Sequence, residues 1–120
     1  MEPSQTDCIF CKIVAGTIPA KIIEQNEHAM AFLDLQPQAP FHGLVIPKMH
    51  VASLNQITPS ERRLILPELY EMADQVAIKH GFREDGYRCV INNQALAGQS
   101  VFHLHLHVLG GGKLKGSFGQ

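Results

Sequence analysis

Histidine alternates with apolar residues from His103 to Leu109, and this pattern constrains the fold more than any other feature of the chain. Successive side chains of a β-strand point to opposite faces of the sheet, so such alternation is typical of a strand whose two faces differ. We therefore predict a long strand over 101–109. Its apolar residues would face the core, and the imidazoles of His103, His105 and His107 would line a surface or a cleft.

The spacing along this strand limits what the three histidines can do together. At a rise of about 3.4 Å per residue, the outer two would lie about 13–14 Å apart, too far for one metal ion to bind all three. Two neighbours can share an ion, or the three can have separate roles. Two alternatives assign no function to these histidines. One is an exposed strand that happens to be rich in histidine, and the other is adventitious metal binding.

A polar loop precedes the histidine strand. Gly98, Gln99 and Ser100 provide a flexible backbone and a hydroxyl at the entry of the strand. Main-chain N–H groups in such a loop can form an anion-binding concavity. Because neutral imidazole is a good nucleophile near neutral pH, an imidazole beside an anion site favours chemistry at phosphorus.

The composition is that of one small globular domain. The chain has 120 residues, of which 45% are hydrophobic and 18% charged, enough for a single core without disulfides or metals as staples. We divide it into a loose N-terminus over 1–7, a single domain over 8–112 and a C-terminal tail over 113–120. The net charge of −1 and the lack of a run of basic residues argue against a general nucleic-acid binder.

The chain also lacks the signals of a membrane or secreted protein. No stretch is apolar over the length of a membrane span, and residues 1–7 do not follow the basic-then-apolar pattern of a secretory signal. An odd number of cysteines, Cys8, Cys11 and Cys89, argues for a reducing compartment. We expect a cytoplasmic protein that contacts neither membrane nor nucleic acid.

The clearest helix start in the chain lies at Thr58-Pro59-Ser60-Glu61, where Thr58 can cap and Glu61 can complete a capping box. The helix is expected to run to His80, before Gly81. Pro67 removes one helical hydrogen bond, which predicts a kink near 63–67 or two abutting helices.

The remaining segments are shorter. We expect a short helix or turn over 8–14, and strands over 21–24, 28–34, 43–46 and 87–92 in addition to 101–109. These elements indicate an α+β fold with an antiparallel sheet, one long helix and one short helix.

The segment His103-Leu-His-Leu-His-Val-Leu resembles the signature of the histidine triad (HIT) family. Further stretches in order resemble its branch of purine nucleoside phosphoramidases: Cys8-Ile-Phe-Cys-Lys-Ile, Ile18-Pro-Ala-Lys, Ala31-Phe-Leu-Asp-Leu-Gln-Pro-Gln-Ala-Pro, His42-Gly-Leu-Val-Ile-Pro-Lys-Met-His and Gly98-Gln-Ser-Val-Phe-His. The resemblance implies a HIT-like antiparallel fold, usually as a homodimer. It also implies hydrolysis of adenosine or guanosine phosphoramidates, and of related adenylates, to the nucleoside monophosphate.

The same resemblance implies roles for the polar residues. His105 would be the nucleophile that forms a nucleotidyl-histidine intermediate, and His107 would contact the phosphate or the leaving amine. Ser100 is a second candidate donor for the amine's proton. His42 and Asn92 would shape the phosphate end of the pocket, where Gly98 and Gln99 also contribute. As alternatives without catalytic meaning, Ser100 caps a strand and Asn92 ends one.

The nucleoside end of the pocket would combine one carboxylate with apolar side chains. Asp34 can accept hydrogen bonds from both ribose hydroxyls, or else it caps the turn before Pro37. The base pocket would be formed by apolar residues that, taken singly, are equally typical of a core. They are Ile9, Phe10, Ile13, Ile18, Phe32 and Leu35.

Cys8 and Cys11 have the Cys-x-x-Cys spacing that is common among zinc ligands, and a closed zinc site needs four ligands. Since Cys89 is alone, histidines must complete the set, and His50 and His103 are expected to do so. The resemblance supports this choice, because some HIT relatives with paired N-terminal cysteines bind zinc in this way. A thioredoxin-like pair lacks its βαβ context here, whereas two buried, unligated cysteines remain the plainer alternative.

Three functional classes therefore stay open. The first is an enzyme that cleaves P–N bonds in amine conjugates of AMP or GMP. The second is a nucleotide-binding regulator with little turnover, and the third is a zinc-stabilised interaction protein. A homodimer is expected on the helix over 59–80 and an adjoining strand, since Leu64 and Leu66 extend its apolar face beyond one stripe.

Overall fold

The computed structural model describes residues 7–116, which form a five-stranded antiparallel sheet with helices on both faces. The strands are β1 (Ile22–Gln25), β2 (Ala29–Leu33), β3 (Phe41–Pro47), β4 (Arg88–Ile91) and β5 (Leu106–Gly110), in the spatial order β1-β2-β3-β5-β4. The helices are α1 (Ile9–Ala15) and α2 (Pro59–Lys79). This confirms the predicted α+β class with one short and one long helix. Within 7–116, no helix is both long and apolar enough to cross a membrane.

Helix α2 begins where the sequence predicts. Thr58 Oγ1 accepts a hydrogen bond from the Glu61 N–H at 3.1 Å, and a Glu61 carboxylate oxygen accepts one from the Thr58 N–H at 2.8 Å. The expectation of two abutting helices was wrong, since α2 continues through Pro67 as one element. The proline removes a single main-chain bond, while buried residues on both sides of it pack against the same sheet.

The sheet separates two apolar clusters. The cluster on the α2 side contains the side chains Leu104, Leu106 and Val108, all fully buried. The cluster on the other side joins α1 to the opposite faces of β2 and β3. Its buried members are Cys8, Phe10, Cys11, Ile13, Met30, Phe32, Leu44 and Ile46. The two strands shared by both clusters, β2 and β3, are therefore almost wholly buried.

The strand that carries the histidines is shorter than predicted. Regular pairing begins at Leu106, because the Leu104 N–H donates to the Val51 carbonyl at 2.6 Å instead of to a sheet neighbour. The prediction over 101–109 was thus wrong for its first half. The alternation still holds through this half, because Leu104 points into the α2 core while His103 and His105 point to the other side.

The histidines do not lie on an exposed surface. His103 is fully buried, and His105 is only 6% exposed. Helix α1 covers this side of the sheet, and the ring of Phe10 meets both imidazoles edge to face, at centroid distances of 5.9 and 5.3 Å. Of the three, His107 is partly exposed, which leaves a cleft between α1 and the sheet.

Candidate active site

A cavity of about 380 Å³ lies between α1 and the face of the sheet that carries Phe32, Leu44 and His107. Most of the residues predicted to bind nucleotide line it together. They are Ile9, Phe10, Ile13, Ile18, Phe32, Asp34, Leu35, Ser100, His105 and His107. Apolar side chains and the two histidines thus face one space, as a site for a nucleoside phosphate requires.

Several lining residues were not predicted. They are Pro19, Ala20, Lys21, Leu33, Gln36, Leu44 and Val101. Pro19, Ala20 and Lys21 belong to the Ile18-Pro-Ala-Lys stretch, so the family resemblance already contained a signal for them. Leu44 reaches the cavity because it pairs with His107 across β3 and β5, a register that the sequence does not display.

Four residues predicted for the site are not among the residues that line the cavity: His42, Asn92, Gly98 and Gln99. Gln99 is buried, and its amide group donates to the carbonyls of Ala52 and Val101 at 2.6 and 3.1 Å. Its side-chain oxygen accepts from the Gln94 N–H at 2.7 Å. The Gln99 side chain therefore fixes the loop that carries Ser100 to the cavity.

Gly98 has a structural reason to be glycine. Its φ of 97° is in the left-handed region that glycine adopts without strain. Crowding does not add to this reason, since an added Cβ would lie 3.7 Å from Asn92 Nδ2, an ordinary van der Waals distance.

The tautomer of His105 follows from one hydrogen bond. Its Nδ1 lies 2.8 Å from the main-chain oxygen of His103, and a carbonyl can only accept. Nδ1 therefore carries the proton, and Nε2 keeps an unprotonated lone pair on a ring that lines the cavity. A nitrogen in this state is a nucleophile without any prior loss of a proton.

His42 and His107 form a hydrogen-bonded pair beside this nucleophile. His42 Nε2 lies 2.8 Å from His107 Nδ1 and 3.4 Å from a carboxylate oxygen of Asp34. Burial lowers the pKa of His107 to about 4, with smaller contributions from the neighbouring His105 and His42. Burial also lowers the pKa of His42, against the opposing effect of Asp34. Both rings are accordingly neutral near pH 7.

A second cluster of polar side chains, at the N-terminal end of α1, contains the four predicted metal ligands. One ligand atom from each of Cys8, Cys11, His50 and His103 lies within 4.8 Å of the other three. His103 Nδ1 is 3.3 Å from the Cys8 sulfur and 3.5 Å from that of Cys11, and His50 Nδ1 is 3.4 Å from the Cys11 sulfur. Two thiols and two imidazoles are a donor set that Zn²⁺ prefers.

His103 is prepared for a ligand role by its other nitrogen. Nε2 lies 2.8 Å from the carbonyl oxygen of Pro47, so Nε2 holds the proton and Nδ1 presents its lone pair to the cysteines. Burial lowers the pKa of His103 to about 4, which keeps the ring neutral. The ring of this one residue thus faces the cysteine cluster, while its main-chain oxygen holds His105.

Comparison with known proteins identifies the family. The HIT domain family model matches residues 15–114. A purine nucleoside phosphoramidase from Escherichia coli is 38% identical over 105 residues, 88% of this chain and 87% of that protein. An uncharacterized HIT-like protein from Synechocystis is 48% identical over 105 residues, 88% of this chain and 90% of that protein.

Solved structures share the architecture as well. A histidine triad protein from Clostridium difficile superposes with a TM-score of 0.91 at 39% identity, over 98% of this chain and 99% of that one. A HIT family hydrolase from Legionella pneumophila superposes with a TM-score of 0.86 at 41% identity, over 92% and 97%. Because the family model spans most of the chain and these relatives match it nearly end to end, the chain belongs to the HIT family.

Proposed function

We propose that this protein hydrolyses purine nucleoside phosphoramidates, the amine conjugates of AMP or GMP, and related adenylates through a covalent intermediate on His105. The observation that carries the proposal is the hydrogen bond from His105 Nδ1 to the His103 carbonyl, which leaves Nε2 unprotonated at the cavity. The relative from Escherichia coli named purine nucleoside phosphoramidase supports the choice of substrate class.

In the first chemical step, the lone pair of His105 Nε2 forms a bond to phosphorus. The P–N bond of the substrate breaks, its electron pair passes to the leaving nitrogen, and a proton taken from solvent converts that nitrogen to the free amine. In the second step, water attacks phosphorus and the bond to His105 breaks, which releases the nucleoside monophosphate. The electron pair returns to Nε2, and the proton lost by water goes to solvent.

In this proposal His107 and Ser100 assist both steps, and the support is that both line the same cavity as His105. An imidazole N–H and a hydroxyl can donate to the phosphate oxygens, whose negative charge grows as phosphorus is attacked. His42 supports His107 from behind through the 2.8 Å contact between their rings.

The nucleoside occupies the other end of the cavity in this proposal. Asp34, with a half-buried carboxylate, would accept hydrogen bonds from the ribose hydroxyls. The purine would lie among the apolar side chains of α1 and β2, including Ile9, Ile13 and Phe32. An apolar compartment with a few polar groups at one end is typical of a small-molecule site.

We also propose a structural zinc ion held by Cys8, Cys11, His50 and His103. The support is their proximity in a buried pocket and the Pro47 carbonyl that fixes the tautomer of His103. Zinc would supply no catalytic step here. It would tie α1, and therefore the cavity wall formed by Ile9 and Phe10, to the sheet.

A homodimer completes the proposal. Leu64 and Ile78 of α2 are 67% and 57% exposed, so this helix presents large apolar side chains to solvent. Exposed apolar surface of this kind marks interaction sites when it is contiguous. Strand β4 is an edge of the sheet, and every one of its residues is only partly buried. An exposed apolar helix face and an open strand edge are each surfaces that favour self-association.

The decisive experiment for the activity is AMP release from adenosine 5′-phosphoramidate. We expect turnover by the wild-type protein and by His28→Ala, which alters an exposed histidine outside the cavity. His105→Ala should lose about a thousandfold or more in rate, as expected for a nucleophile. Nucleotide binding without AMP release by the wild-type protein would instead identify a regulator, and full activity of His105→Ala would refute the assignment.

A further inference from the structure

The loop between β2 and β3, part of which lines the cavity, also contacts the histidine pair at His42. Within it, the main-chain N–H of Gln38 donates a hydrogen bond to His42 Nδ1 at 2.9 Å. We propose that this main-chain donor sets the tautomer of His42 and, through it, that of His107, so that His107 offers an N–H to the phosphate. The tautomers are a property of the free protein. Only the claim that the His107 N–H binds a phosphate rests on the proposed function.

The first link is the ring of His42. A nitrogen that accepts an N–H hydrogen bond uses its lone pair and carries no proton. Neutral His42 must then hold its proton on Nε2. A doubly protonated ring would place two N–H groups against each other at Gln38, which disfavours the cation.

The second link joins the two rings. The Nε2–H of His42 has two acceptors within reach, His107 Nδ1 at 2.8 Å and an Asp34 oxygen at 3.4 Å. The shorter distance assigns the hydrogen bond to His107. Since Nδ1 of His107 accepts, its proton lies on Nε2 of a ring that lines the cavity.

The direction of this relay matters because phosphate oxygens only accept. With the proton on Nε2, His107 attracts a phosphate, and with the opposite tautomer its lone pair would repel one. The opposite arrangement of both rings would need His42 Nδ1–H to face the Gln38 N–H, a contact between two donors. It would also free His42 Nε2 to join Asp34 and His107 as a ligand for a cation, since these groups lie within 4.8 Å of one another.

The loop is built to hold this N–H in place. The Gln36 N–H donates to an Asp34 carboxylate oxygen at 2.8 Å, and the Asp34 N–H donates to the His42 carbonyl at 3.0 Å. Pro37 and Pro40 flank Gln38 closely and restrict the backbone on both sides. The Gln38 N–H is therefore already in position in the free protein, and the loop needs little further ordering when a ligand binds.

The test uses ¹⁵N NMR of histidine ring nitrogens at neutral pH, because protonated and unprotonated ring nitrogens resonate far apart. In the wild-type protein we expect Nδ1 unprotonated and Nε2 protonated in both His42 and His107. Gln38→Ala, which keeps the main-chain N–H, should show the same pattern. Gln38→Pro, which lacks that N–H, should show a mixture of tautomers in both rings.

Two results would overturn the inference: a proton on Nδ1 of His42 or His107 in the wild-type protein, or an unchanged pattern in a folded Gln38→Pro variant. The wild-type spectrum decides the matter even if Gln38→Pro fails to fold. If the wild-type tautomers are as expected but the protein releases no AMP, the inference stands and the proposed function fails.

Kinetic constants distinguish the proposed role of the Gln38 N–H from a purely structural one. With adenosine 5′-phosphoramidate, kcat of Gln38→Pro should fall about tenfold or more below that of Gln38→Ala, while KM changes less. The difference arises because the His107 N–H stabilises charge that develops during attack on phosphorus. Equal kcat values for the two variants would contradict the inference.

Discussion

The main-chain oxygen of His103 accepts a hydrogen bond from His105 Nδ1 at 2.8 Å, while the ring of His103 lies against the sulfurs of Cys8 and Cys11. One residue therefore links the cysteine cluster to the nitrogen that we propose as nucleophile. The Phe10 ring, set between the two cysteines in the sequence, packs against both imidazoles. The chemistry and the cluster consequently depend on the same few residues of α1.

Zinc content tests the cluster. Protein purified without chelator should contain about one zinc ion per chain, and Cys8→Ser should lose it. The thermal midpoint of this variant should fall by about 5 °C or more, because a structural metal stabilises the folded state. Cys89→Ser is the matched control, since Cys89 lies outside the cluster. Less than about a tenth of an equivalent of zinc in the wild-type protein would contradict the site.

The cluster also illustrates what the sequence could and could not predict. The spacing of Cys8 and Cys11 indicates two ligands, but not which histidines complete the set. His50 follows the end of β3, and His103 precedes the start of β5 by three residues. These positions become neighbours only because β3 pairs with β5, and it was the family resemblance that allowed all four to be predicted together.

The alternation of the histidine segment predicts which residues share a face, but not how deeply the polar face is buried. Leu104, Leu106 and Val108 are fully buried, as the pattern predicts. The opposite face was expected to line a surface or a cleft; His105 and His107 do line the cavity, whereas His103 is fully buried under α1. Alternation reports that two faces differ in polarity, whereas a helix about 95 residues away along the chain decides whether the polar face meets water.

Main-chain contributions to the site were beyond sequence analysis. The carbonyls of His103 and Pro47 and the N–H of Gln38 fix the tautomers of three histidines. Every residue carries a main-chain carbonyl, and every residue except proline carries a main-chain N–H, so no residue type marks where these groups act. Only the fold reveals which of them meet an imidazole.

If Asp34 binds the ribose, removing its carboxylate should reduce the selectivity for ribose over 2′-deoxyribose. Asp34→Ala should weaken binding of AMP and reduce its advantage over 2′-deoxy-AMP, because one hydrogen bond to a charged group contributes about 1.5–3 kcal/mol. That corresponds to about 10- to 100-fold in Kd. Asp85→Ala removes an exposed carboxylate outside the cavity and should bind like the wild-type protein. Calorimetric titration of both nucleotides checks this, and an unchanged ribose preference in Asp34→Ala would refute the role.

The buried histidines predict that stability falls in acid. Burial lowers the pKa of His107 to about 4 from an ordinary value of 6.5. Between these values the unfolded chain binds more protons, so the free energy of unfolding is greatest above pH 6.5 and declines toward pH 4. One such group contributes up to about 1.4 kcal/mol per pH unit.

Urea unfolding at pH 7.5 and pH 5.5 measures this decline. His107→Gln should flatten the dependence on pH, whereas His28→Gln, at an exposed position, should preserve it. The decline would not vanish in His107→Gln, because burial lowers the pKa of His42 as well. A free energy of unfolding that stays constant or rises toward pH 5.5 in the wild-type protein would contradict the prediction.

Self-association has its own test. Sedimentation equilibrium at micromolar concentration should give twice the mass of one chain. Leu64→Glu should shift the protein toward monomer, because it places a charge on the exposed face of α2. Leu35→Glu charges a leucine that is more exposed than Leu64 and lies away from α2, and it should leave the mass unchanged. A monomeric wild-type protein would rule out the proposed dimer.

The most direct test of the central claim is to locate the covalent intermediate. Turnover of adenosine 5′-phosphoramidate would be quenched, the protein digested, and the peptide containing residues 103–107 examined by fragmentation mass spectrometry. We predict an adenylyl group on His105, none on His103 or His107, and no adduct in His105→Ala. Rapid AMP release with no adduct on His105, or with the adduct on another histidine, would contradict the account.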